Sequence, residues 1–181
     1  LGAGLNCALE IISCKHYHRN MRYNLPVKPS PNLPNAKAIE LYPSLCLFEG
    51  STVSVGRGTD FPFQVYGAPS LKGPFRFVPE PNFGAKKPKH QNRTCYGLDL
   101  RQAVVEDGLN LSWIIDAYKQ SSPPFFNAFF VKLAGTKKLQ TQIESGLSAT
   151  AIKKSWKSGL DTFKTKRQPY LLYPSKDLGD K

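Results

Sequence analysis

Four prolines fall within nine residues, at Pro26, Pro29, Pro31 and Pro34, and no helix can pass through them. Each proline fixes its own φ and pushes the residue before it toward extended geometry. Residues 23–34 therefore read as a rigid loop that presents side chains. Ser30 and Asn32 on this loop offer neutral hydrogen bonds of the kind that sugar hydroxyls and acetamido groups take. The same groups can instead satisfy the loop's own backbone. Beyond the prolines, Asn35 is placed to cap a helix over Ala36 to about Phe48. Ile39, Tyr42, Leu45 and Cys46 give it a stripe to bury, and Pro43 is expected to kink or split it. Glu49-Gly50 reads as its end.

Strands are expected over residues 7–14, 61–66, 75–79 and 95–100, with a turn at Gly67-Ala68-Pro69. Leu111, Ile114, Ile115 and Tyr118, after Asp107, mark a helix that Ser121-Ser-Pro-Pro124 stops. Ile152, Trp156, Leu160 and Phe163 mark another, with Ser148 as its cap, and a short helix fits between residues 135 and 144. Tyr170-Leu-Leu-Tyr173 is expected to dock on the body. Interleaved strands and helices predict a mixed α/β class: one compact domain over residues 1–181, with a small mixed sheet, flanking helices and long Pro/Gly-rich loops. No window approaches the ~18 apolar residues of a membrane-spanning helix. The chain opens Leu1-Gly-Ala-Gly4, with neither an initiator Met nor the pattern of a signal peptide, and reads as part of something longer.

The formal charge is +12. Residues 84–94 alone carry Lys86, Lys87, Lys89 and Arg93 with no acid. This loop has no aromatic residue, and nucleic-acid modules interleave aromatics or line Lys and Arg along a helix face, so no nucleic-acid partner is expected. The loop is either a solvated surface or an attractor of an anionic polymer such as cell-wall glycan or phosphate. Cys7, Cys14, Cys46 and Cys95 form no Cys-x-x-Cys pair, and their pairing stays open. His16 and His18 share a face if their segment is extended, which leaves a polar strand end or a two-ligand metal contact as readings. There is no Gly-x-Ser-x-Gly elbow. No cofactor, metal or complete catalytic constellation is expected. Glu49 and Asp60 are the acids within the presumed site loops, and their spacing does not establish whether they face one cleft.

Gly56-Arg-Gly-Thr-Asp60 carries the most chemistry. Glycines on both sides of Arg57 allow positive φ and close approach. The guanidinium is a planar fork suited to a carboxylate or phosphate, or it caps a carbonyl in its own turn. The ending is not the Gly-Lys-Ser/Thr of a phosphate-binding loop. Glu49 sits at a helix C-terminus, where the macrodipole disfavours a carboxylate, and pairing with Arg57 would account for it.

Pro29-Ser-Pro-Asn-Leu-Pro34, Tyr42-Pro43, Cys46-Leu-Phe-Glu-Gly50, Gly56-Arg-Gly-Thr59 and Gly67-Ala-Pro69 follow one another in an order that resembles the NamZ-type exo-β-N-acetylmuramidase family, a bacterial family first labelled as a domain of unknown function. Cys95-Tyr-Gly97 and Tyr170-Leu-Leu-Tyr173 are similar to its later motifs. The resemblance implies a C-terminal α/β domain whose partner is an N-terminal Rossmann-like domain of the same protein, with the cleft between them. It implies release of N-acetylmuramic acid from the non-reducing end of peptidoglycan fragments, a periplasmic or extracellular setting, and catalytic acids mainly in the N-terminal domain. On that reading Arg57 meets the lactyl carboxylate and Glu49 orients Arg57 or touches the sugar. Thr59 and Asn32 bind hydroxyl or amide groups, and Ser30 and Asp60 complete the substrate contacts.

Overall fold

A computed structural model describes residues 4, 7–105 and 108–173. Asn35 opens the first helix as expected: its Oδ1 accepts the Ala38 N–H at 2.9 Å, and α1 runs Ala36–Leu45. Pro43 lies within α1, and the chain tightens to a 3-10 turn, Cys46–Gly50, just beyond it. The buried face is Ala38, Leu41, Ser44 and Leu45, whereas Tyr42 is exposed and Ile39 and Cys46 are half-buried. The expected stripe is thus rotated by about one residue. The expectation rests on large apolar side chains, whereas the face that packs closely includes the small Ala38 and Ser44 beside Leu41 and Leu45.

The sheet has three strands, β1 Val65–Ala68, β2 Phe75–Phe77 and β3 Cys95–Asp99, in the order β1-β3-β2. Both pairings are antiparallel, so the sheet is not mixed. Gly67, expected in a turn, is in β1 and pairs with Gly97 of β3. A Cβ on Gly97 would stand 1.9 Å from the Tyr66 carbonyl oxygen, and one on Gly67 would stand 2.7 Å from that of Tyr96. The two glycines serve a close crossing of strands rather than a change of direction. Residues 61–64 turn instead of extending, with Phe63 at φ 55°.

Among the described residues four further α-helices follow: α2 Ser112–Gln120, α3 Ala128–Ala134, α4 Lys138–Glu144 and α5 Ala149–Arg167. Asp107, expected ahead of α2, lies outside the described residues, as do residues 1–3. The Ser148 hydroxyl accepts the Ala151 N–H at 3.2 Å, the cap expected for α5. Ile152 of α5 is buried, but Leu160 and Phe163 are about half exposed, so only the first part of its stripe enters the core. Helix α3 lies outside the elements expected from the sequence. Asn127 caps it, Gly135 closes it in the left-handed region at φ 68°, and Phe130 packs where Gly50 has no side chain.

Contacts divide the chain into two units, one of residues 24–157 and one joining the segments before Asn24 and from Ser158 onward. The first holds the buried core of the described residues, from Ala38 to Ile152, and within it Phe48 stacks on Tyr66. In the second, the Cys14 N–H donates to the Tyr173 hydroxyl at 2.9 Å and the Tyr17 ring meets that of Tyr173 edge-on. Residues 7–14 form no strand there. β-propensity makes a strand only where a partner completes the ladder, and Leu9 and Ile12 stand 75% and 89% exposed. His16 takes φ 58°, which ends any shared strand face with His18. Among the described residues no cluster of three His, Cys, Asp or Glu is set to hold a metal, and no helix is long and apolar enough to cross a membrane. The four cysteines are free thiols.

Candidate functional site

The 3-10 turn after α1 delivers Glu49, and the loop before β1 delivers Arg57. Gly56 and Gly58 stand at φ 75° and 87°, so Arg57 sits between two left-handed glycines. Neither position has room for a side chain. A Cβ on Gly56 would meet Val65 at 2.6 Å, and one on Gly58 would meet the Glu80 carbonyl oxygen at 2.6 Å and Pro88 at 2.8 Å. The Arg57 Nη1 donates to the Glu49 Oε1 at 2.7 Å. The remaining guanidinium donors meet no described residue. The pair is neither buried nor free, with side chains 42% and 22% exposed for Arg57 and Glu49. Burial, and then the Glu49 charge, raise the nearby Cys46 thiol; the Tyr42 phenol is raised by burial, Cys46 and Glu49 in that order.

These two residues open on a cavity of about 350 Å³ whose other wall is the basic loop, through Lys86, Lys87, Pro88 and Lys89. Nothing in the spacing links this loop to the arginine turn, yet both line the same cavity. What brings them together is hydrogen bonding that composition does not reveal. The Lys89 ammonium turns inward and donates to the Phe48 carbonyl at 3.3 Å, the Val53 carbonyl at 3.0 Å and the Ser51 carbonyl. The His90 Nε2 lies 2.6 Å from the Thr52 carbonyl oxygen. Two neighbouring side chains thus hold the carbonyls of Phe48, Ser51, Thr52 and Val53, the segment that carries Glu49 toward Arg57. Burial lowers the Lys89 ammonium to about 8 against the pull of Glu49, and lowers His90 as well. A Pro between lysines was the one signal that this loop is built rather than loose.

The other expected site residues gather elsewhere. Ser30, Asn32, Thr59 and Asp60 line a second cavity of about 590 Å³, with Lys28, Asn82 and Phe83. Gly84 borders both cavities. Most of the polar atoms in this group hold turns. The Asn32 Nδ2 donates to the Gly84 carbonyl at 2.7 Å, and the Ser30 Oγ accepts the Asn32 N–H at 3.2 Å. The Thr59 hydroxyl donates to the Gly56 carbonyl at 2.6 Å and accepts the Phe61 N–H. Asp60 is exposed at the rim. The structure therefore unites Glu49 with Arg57 and places the other four around the adjoining cavity, with Thr59 and Asp60 on the same loop as Arg57.

Residues 40–173 match the family model described as exo-β-N-acetylmuramidase NamZ, C-terminal. The peptidoglycan β-N-acetylmuramidase NamZ of Bacillus subtilis is 32% identical over 93% of this chain. A DUF1343 family protein from Bacteroides fragilis, known from its crystal structure, is 46% identical over 94% of this chain, with a TM-score of 0.87. The chain spans 46% of the first relative and 50% of the second, about half the length of each.

Proposed function

Because the chain belongs to the family of NamZ exo-β-N-acetylmuramidase C-terminal domains, we propose that it supplies one wall of a cleft for non-reducing-end N-acetylmuramic acid. The rest of the cleft, with the catalytic acids, comes on this reading from an N-terminal Rossmann-like domain of the same protein, acting outside the cytoplasm. The observation that carries the proposal is the Arg57–Glu49 pair at the mouth of the first cavity. N-acetylmuramic acid differs from N-acetylglucosamine by a lactyl group that ends in a carboxylate. Glu49 occupies one guanidinium nitrogen, which aims the fork and leaves its other donors for a second carboxylate. Close packing of Gly56 and Gly58 against Val65, Glu80 and Pro88 holds the loop in advance, so little ordering is required on binding. Glu49 also offsets part of the Arg57 charge.

The test is Arg57→Lys in the full-length protein. Lys keeps the charge and loses the planar fork. Turnover of a muramic-acid substrate should fall about tenfold or more, with little change on the matching glucosamine substrate. Equal losses on both, or no loss, would make Arg57 a structural residue. A second reading, a non-catalytic module for anionic cell-wall glycan, draws support from the exposed Lys86 and Lys87 on the cavity rim. It expects the 181 residues alone to bind muramic-acid sugar.

A further inference from the structure

The cavity beside Arg57 holds more positive charge than one carboxylate requires. Its lining includes Arg57, Lys86, Lys87 and Lys89, and among the described residues Glu49 is its only acid. Glu49 is already engaged by Arg57, and Lys89 by three carbonyls. That leaves two ammonium groups with no carboxylate. Lys87 makes no ion pair or hydrogen bond with any described residue, and Lys86 rests over the Phe83 ring at 5.7 Å, a contact that leaves its N–H donors open.

The backbone beneath them is held. Ala85 is 8% exposed and hydrogen-bonds reciprocally with Asn82, and Pro88 is buried against Gly58. Lys86 and Lys87 form the two-residue crest between these fixed points, and Lys89 and His90 anchor the descending side. Two cations on a fixed crest beside a third are a recognition feature, whereas a solubilising loop needs no such anchoring. Resting on the reading of Arg57 above, we infer that Lys86 and Lys87 form a second anion subsite of the same cavity, so that the preferred ligand carries two anionic groups. The second group is either a phosphate on the sugar or a carboxylate on a peptide attached through the lactyl group. The peptide source consumes the lactyl carboxylate as an amide, so it must bring its own carboxylates.

Calorimetric titration of the full-length protein separates these. The probes are N-acetylmuramic acid, its 6-phosphate, and N-acetylmuramoyl-L-alanyl-D-glutamate. Wild-type protein should bind at least one of the last two about tenfold more tightly than the first, and whichever it is names the source. The double variant Lys86→Gln, Lys87→Gln should bring that ratio to near one and leave N-acetylmuramic acid affinity unchanged. Both positions are exposed, so folding is preserved, and circular dichroism verifies it. A wild-type ratio near one, or a preference that survives the double variant, overturns the second subsite. Arg57→Gln reports separately: if it leaves N-acetylmuramic acid affinity intact, the carboxylate role of Arg57 fails, while the ratio still decides the lysines. Absence of binding by every probe overturns both.

Discussion

Lys89 does what no other lysine in the cavity does: its charge is spent inside the protein. One ammonium has three donors, and three carbonyls receive them. Burial nevertheless lowers it from 10.5 to about 8. The folded value lies below the unfolded one, so the folded state releases this proton more readily. The group therefore adds stability as pH rises from about 8 to 10.5, and that contribution is absent below 8. Denaturant unfolding of wild type and Lys89→Met across this window should show the wild type gaining relative to the variant. A constant difference would mean that Lys89 is not desolvated in solution. Glu49 presents the opposite case. Its pair with Arg57 is too exposed to hold the fold, so Glu49→Gln should change unfolding stability by less than about 1 kcal/mol. Its effect belongs in ligand affinity, where the same titrations read it.

At the level of elements, the tightest constraint is the crossing of β1 and β3. Gly97→Ala would press a methyl against the Tyr66 carbonyl oxygen, since the Cβ would start 1.9 Å away. We expect a loss of about 3 kcal/mol or more by thermal unfolding. Gly135 is the contrast. Its φ is left-handed but nothing lies within 4 Å of an added Cβ, so Gly135→Ala should cost about 1 kcal/mol. If the two variants were equally stable, the packing argument would fail. Asn35→Ala, which removes the α1 cap, should likewise cost about 1 kcal/mol. That cap was readable because it is local: Asn follows the last proline and precedes the apolar run. The Ser148 cap and the positive φ of Gly56 and Gly58 were readable for the same reason. The Gly67–Gly97 crossing was not, because a glycine signals freedom or closeness alike, and only the strand register says which. The site divided in the same way. Glu49 and Arg57 are eight residues apart, and helix-end electrostatics pointed from one to the other. Lys89 reaches carbonyls 36 to 41 residues away through backbone groups that every residue possesses, and no residue type marks such a partner.

For the chain as a whole, the cavity and the core share one unit, and this makes the segments outside it separable in principle. Every buried hydrophobic among the described residues lies between Ala38 and Ile152. Apolar burial is the dominant favourable term in folding, so stability should reside in residues 24–157. The remaining segments contribute tyrosine contacts and the exposed part of α5, with Leu9, Ile12, Tyr170 and Leu172 more than half exposed. A fragment of residues 24–157 should unfold cooperatively, with a Tm within a few degrees of the 181-residue chain. Its far-UV dichroism should lose only the helix beyond Lys157. It should also keep the Arg57 cavity, because Glu49, Arg57 and the lysine crest, together with their carbonyl anchors, all fall inside it. Binding of N-acetylmuramic acid by the fragment as strong as by the chain would place the recognition determinants of this half in that core. A fragment that melts without a cooperative transition would show instead that the flanking segments supply stability that their exposed side chains do not account for.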